Sequence, residues 1–116
     1  MDIYHIWFDA KDGVRDDRIA EAARLYLDHL KDQKLIAHWR LMRRKLGLAP
    51  SGFREWHVMI ETENLAQLER AFGDVATRSG ETEVKHHGLN ALACNLMFAL
   101  YRDFPDEVRK YGEEKF

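Results

Sequence analysis

Three histidines, an arginine and a tyrosine stand where they can share one surface: His5, His38, His57, Arg40 and Tyr101. Neutral imidazole gives and takes protons near neutral pH. A guanidinium holds a carboxylate or phosphate, and a phenol donates a hydrogen bond or a proton. Together they suit acid–base chemistry on a small molecule. His5, His38, His57 and Tyr101 would handle protons and Arg40 would anchor the ligand. Trp7, Met42 and Met59 would supply apolar walls. The competing reading is that the same groups satisfy one another in a packed interface and catalyse nothing.

Other chemistries lack their signatures. There is no His-x-x-x-His or His-Glu-x-x-His spacing, and one cysteine, Cys94, cannot form a cysteine-based zinc site or an internal disulfide. No metal site and no organic cofactor are expected. Gly-x-x-x-x-Gly-Lys, Gly-x-Gly-x-x-Gly and Gly-x-Ser-x-Gly are all absent, which argues against nucleotide-dependent catalysis and serine hydrolysis. Cys94 lies in an apolar stretch and reads as a buried small hydrophobe. Of the adjacent His86 and His87, one is expected to pack and one to face water, because neighbouring helix residues point apart. His29 reads as a residue near a helix carbonyl end.

These side chains share a face only if the elements beneath them are strands. Ile3–Phe8 is β-branched and aromatic and ends at Asp9 and Asp12-Gly13, a first strand. From Val14 the period lengthens, with Ile19, Ala22, Ala23, Tyr26 and Leu30 on one stripe of a first helix. Leu35–Arg44 and Glu55–Thr62 read as a hairpin across a long loop holding Gly47, Pro50 and Gly52. Asn64 caps a second helix with Leu65, Leu68, Ala71, Phe72 and Val75 on its apolar face. Residues 83–102 carry two readings. One is a short third helix (Val84, His87, Gly88, Ala91, Leu92) followed by a strand from Leu96 to Tyr101. The other is a strand over 83–87 followed by a helix over 89–102. The first is preferred. It gives βαββα(α)β, an α+β ferredoxin-like plan with an antiparallel sheet in the order four-one-three-two and helices on one face. The whole chain, 1–116, reads as a single domain.

Alternation along strands then separates two faces. Tyr4, Ile6, Phe8, Leu35, Ala37, Trp39, Leu41, Trp56, Val58, Ile60, Leu96, Phe98 and Leu100 form an apolar set for the helices to cover. Ile3, His5, Trp7, Ile36, His38, Arg40, Met42, Glu55, His57, Met59, Glu61, Met97, Ala99 and Tyr101 form the other, a mixed set. That second face carries more apolar surface than a soluble monomer normally leaves bare. Pairing two such faces about a two-fold axis buries it, so a homodimer is expected.

The short first strand, the Trp39 strand, Glu55-Trp56-His57-Val58-Met59-Ile60-Glu61 and the ending Phe98-Ala99-Leu100-Tyr101-Arg102-Asp103-Phe104-Pro105 resemble an uncharacterised bacterial family of the dimeric α/β-barrel superfamily. The resemblance covers essentially the whole chain. It implies the fold and a homodimer. It implies little chemistry, because that superfamily spans cofactor-free monooxygenases, haem-handling enzymes, isomerases and stress-response proteins.

The net charge of −2 argues against a dedicated nucleic-acid partner. The one basic run, Arg43-Arg44-Lys45, follows an expected edge strand and reads as protection against edge-to-edge pairing. Arg102 and Asp103 read as a pair or a tie for the tail, and Tyr111–Phe116 as polar except at its ends. No stretch is apolar enough to span a membrane, and no signal peptide is legible, so a cytoplasmic location is expected. The functional expectation is a small molecule held in the lumen between two sheets, with or without catalysis.

Overall fold

The structure, a computed structural model, describes residues 1–105. Seven elements follow in order: β1 (Asp2–Ala10), α1 (Asp16–Asp32), β2 (His38–Arg43), β3 (Trp56–Thr62), α2 (Leu65–Ala76), α3 (Gly80–Asn90) and β4 (Ala93–Arg102). The strands form one sheet, β2-β3-β1-β4, with every neighbouring pair antiparallel. This is the ferredoxin-like arrangement, with its helices on one face. The Tyr111–Phe116 tail lies outside the described residues.

Burial on α1 recurs at Ile19, Ala23, Tyr26, Leu27 and Leu30, one stripe of a 3.6-residue helix. Asp16 and Asp17 stand in its first turn and His29 and Lys31 in its last, matching the helix dipole. The stripe packs on Phe8, Val58 and Ile60, which project from the sheet. Burying each large side chain contributes about 1.5–3 kcal/mol. At the start of α2, Asn64 Oδ1 accepts from the Gln67 amide at 2.9 Å, and Gln67 Oε1 accepts from the Glu63 amide at 2.8 Å. Gln67 Nε2 also donates to the Lys34 carbonyl at 3.1 Å. One buried side chain thus closes a cap and pins the turn after α1.

That turn corrects the expected second strand. Lys34 takes a left-handed φ of 58°, and the chain rises irregularly from the helix layer before pairing begins at His38. Ile36 therefore sits in the core at 3% exposure, on the helix side, and not on the open face where strict alternation put it. From Trp39 onward the alternation holds.

The third helix starts at Gly80, four residues before the expected Val84, and β4 starts at Ala93 instead of Leu96. The helical face also differs: Val84 and His87 are exposed, and Thr82, His86 and Leu89 turn inward. A helix over 89–102 is not formed. Leu96, Phe98 and Leu100 do face the helix side, but they remain 40%, 57% and 52% exposed. Cys94 is half-buried, less enclosed than expected.

On the edge strand β2, Arg43 pairs with Glu55 at 3.0 Å and Asp16 at 3.2 Å and lies over Trp56. Asp103 ties to the chain start, its carboxylate 3.2 Å from the Met1 ammonium.

Candidate functional site

Register fixes the open face as a grid. His38, Glu61, Ile3 and Tyr101 form one row, Arg40, Met59, His5 and Ala99 the next, and Met42, His57, Trp7 and Met97 the third. His5 and His57 are diagonal neighbours across the β1–β3 pair, close enough for side chains to meet. They do: His5 Nδ1 lies 2.9 Å from His57 Nε2. His57 also stacks on Trp7 with ring centres 4.4 Å apart, and Tyr101 presents its edge to His5 at 5.2 Å. Burial lowers the pKa of both imidazoles, and the neighbouring His5 lowers that of His57 further.

The structure thus brings His5, His57, Trp7 and Tyr101 into one cluster. Arg40, Met42 and Met59 share the face around it. His38 does not join the cluster, because β3 separates it from β1 and it stands exposed opposite Glu61.

At the end of the same face is a polar knot that sequence reasoning missed. Asp9 Oδ1 accepts from the Glu55 amide at 3.1 Å, and Asp9 Oδ2 accepts from Asn95 at 3.1 Å. Arg54 Nε donates to the Asn95 carbonyl at 2.9 Å and lies 3.9 Å from the Asp9 carboxylate. Burial opposes charge on Asp9, but the Glu55 amide, Asn95, Arg54 and Arg44 outweigh it and hold the carboxyl below its usual range. The β1–β4 register shifts here, and Asn95 takes a φ of 55°. Neither the bulge nor the approach of Arg54 leaves a local pattern.

A second concavity lies on the other side of the sheet. A cavity of about 260 Å³ opens between the strands and the helices. Its walls are largely apolar, with Tyr4, Phe8, Ile60, Leu68 and Ala71 among them, and the exposed Phe72, Leu96 and Phe98 rim its mouth. Tyr4 meets Phe72 edge-on at 5.2 Å and stacks on Phe98 at 6.0 Å.

The polar corner of this cavity is Tyr26 from α1 and His86 from α3, ring centres 5.2 Å apart. Glu83, one turn before His86, places Oε2 3.7 Å from its Nδ1. That oxygen and Asp74 Oδ2 are both buried with no hydrogen-bond partner among the described residues. Burial, then the charges of Asp74, Tyr4 and Glu83, push the Tyr26 hydroxyl well above its ordinary pKa, so it stays protonated and available as a donor. The sequence reads Tyr26 as core and the His86-His87 pair as one packed and one exposed residue; His86 is the one that packs, and only the packing of α1 on α3 joins it to Tyr26. His29, at the end of α1, bonds Thr82 Oγ1 at 2.8 Å and helps seat that packing.

Among the described residues, no group of three His, Cys, Asp or Glu side chains is placed to hold a metal ion. None of their helices is long and apolar enough to cross a membrane.

Fold and site together define a ferredoxin-like α+β protein with an open aromatic–histidine sheet face and an apolar cavity under its helices. The chain belongs to DUF6614, a family of unknown function whose pattern matches residues 1–116. No curated protein matches it. Among solved structures it is similar to At3g17210 from Arabidopsis thaliana, with a TM-score of 0.71 at 10% identity, covering 89% of this chain and 95% of that one. It is also similar to a dimeric ferredoxin-like protein of unknown function from Jannaschia sp. CCS1, with a TM-score of 0.65 at 16% identity over 89% and 100% of the two chains. A third is SnoaB, a cofactor-independent oxygenase from Streptomyces nogalater, with a TM-score of 0.68 at 9% identity over 93% and 97%. At these identities the likeness concerns the fold.

Proposed function

We propose that this protein is a homodimer that binds a small apolar molecule in each protomer, in the cavity between sheet and helices. The observation that carries the reading is the cavity of about 260 Å³, with an apolar lining and one polar corner. A ligand pocket has that make-up. The open face is the dimer surface in this reading. Ile3, Trp7, Met59 and Met97 gather there with Tyr101, and sheets packed face to face stand about 10 Å apart, filled by side chains of this size.

The 2.9 Å contact between His5 and His57 favours a second reading, in which the lumen itself is the site. There the molecule would be a cofactor-free acid–base enzyme. His5, His57, His38 and Tyr101 would handle protons, Arg40 would anchor the substrate, and Trp7, Met42 and Met59 would wall it. Turnover of an identified substrate that survives His57→Ala and His38→Ala would sink that reading.

Native mass spectrometry of gently purified protein tests the first. The expected species is a dimer carrying one small adduct per protomer, with the adduct lost in Ala71→Phe, which fills the cavity. A dimer whose adduct persists in Ala71→Phe would move the ligand out of the cavity. A monomer would remove the case for pairing the open faces.

A further inference from the structure

The polar corner of the cavity has a specific complement. Tyr26 and His86 both line it, from different helices, with ring centres 5.2 Å apart. Glu83 Oε2 stands 3.7 Å from His86 Nδ1, beyond hydrogen-bond reach. A neutral imidazole carries one N–H and one bare nitrogen, and the bare nitrogen is an acceptor. Tyr26 offers the opposite function, an O–H donor. A donor and an acceptor side by side match a hydroxyl, which accepts one hydrogen bond and donates another. Apart from Asn90 and the Tyr4 hydroxyl, the rest of the lining is apolar, with the aromatic rings of Tyr4, Phe8, Phe72 and Phe98 around the space. Aromatic walls of this kind favour a flat aromatic body.

We infer that the cavity selects a neutral hydroxylated aromatic ring, a phenol or a close relative, whose hydroxyl donates to the bare ring nitrogen of His86 and accepts from Tyr26. The inference rests on the cavity reading above and adds the ligand class to it. Neutrality follows from the surroundings. Asp74 and Glu83 each bury a carboxylate oxygen behind this corner without a hydrogen-bond partner among the described residues. Their charge and the low polarity act against any second anion there, and they already keep the Tyr26 phenol in its protonated form. A bound phenol meets the same field. A carboxylate-bearing ring such as benzoate is excluded on the same ground.

Equilibrium dialysis with two probes separates the two levels of the claim. 4-Nitrophenol carries the hydroxyl, and nitrobenzene has the same body without it. The wild-type chain should bind 4-nitrophenol about tenfold or more tighter than nitrobenzene, the effect of pairing a buried hydroxyl. His86→Leu and Tyr26→Phe should each erase that preference and leave nitrobenzene affinity unchanged. At a pH about one unit above the dye's own midpoint, where roughly nine-tenths of it is ionised in water, binding should bleach the phenolate band. Equal binding of the two probes overturns the hydroxyl inference and leaves the cavity reading standing. A phenolate band that persists in the complex overturns it as well. Failure of both probes to bind overturns the cavity reading and the inference with it.

Discussion

His5 Nδ1 and His57 Nε2 share a hydrogen bond of 2.9 Å, so one of the two nitrogens must carry the proton that the other accepts. Protonating both rings breaks the bond and sets two cations side by side. Burial lowers the pKa of each, and the neighbouring His5 lowers that of His57 further. Between the lowered folded values and the ordinary value of 6.5, the unfolded chain binds more protons than the folded one. The pair's contribution to stability is therefore complete above pH 6.5 and is lost as pH falls through the folded values. Urea unfolding at a series of pH values checks this. The wild-type chain should lose stability on acidification, and a His5→Gln/His57→Gln double variant should show a shallower slope. Equal slopes would contradict it.

The core makes a sharper energetic statement. Ile19 is fully buried on α1, whereas Leu48 is 77% exposed in the loop between β2 and β3. Ile19→Ala should cost about 2–5 kcal/mol in urea unfolding, through lost burial and the hole it leaves. Leu48→Ala should stay within about 0.5 kcal/mol of the parent.

Asn64 is the clearest local device. Its side chain accepts from the Gln67 amide at the start of α2, so Asn64→Ala should cost about 1 kcal/mol by the same measurement. Asn64→Gly should cost only a few tenths. Equal losses would argue against the cap.

For the open face, charge is the probe. Trp7→Glu places a carboxylate in the middle of the surface proposed to pair and should convert dimer to monomer in sedimentation velocity. Leu48→Glu should leave the dimer intact. A dimer that tolerates Trp7→Glu would put its contact elsewhere.

The division of the sheet into two faces was legible because a strand's side chains alternate strictly, and the observed register keeps Ile3, His5 and Trp7 together with His57, Met59, Met97 and Tyr101. Alternation failed at Ile36 because it assumes regular strand, and the left-handed Lys34 resets the phase before β2 begins. The knot of Asp9, Arg54 and Asn95 depends on a bulge and on a loop folding back. The cavity was the least legible feature of all. Its polar corner joins positions sixty residues apart through helix packing, and its mouth is rimmed by Phe72, Leu96 and Phe98, which stay exposed. Periodicity identifies which side a residue faces, but it does not tell how completely the opposite layer fills.

Methyl-resolved NMR during titration with nitrobenzene tests the cavity most directly. Leu30, Leu68, Val75 and Ile60 line it, whereas Ile3, Met59 and Met97 stand on the open face and Leu46 and Leu48 in an exposed loop. Saturable shifts are expected at the first four and none at the others. Shifts confined to Ile3, Met59 and Met97, or no saturable shift at the four cavity residues, would contradict it.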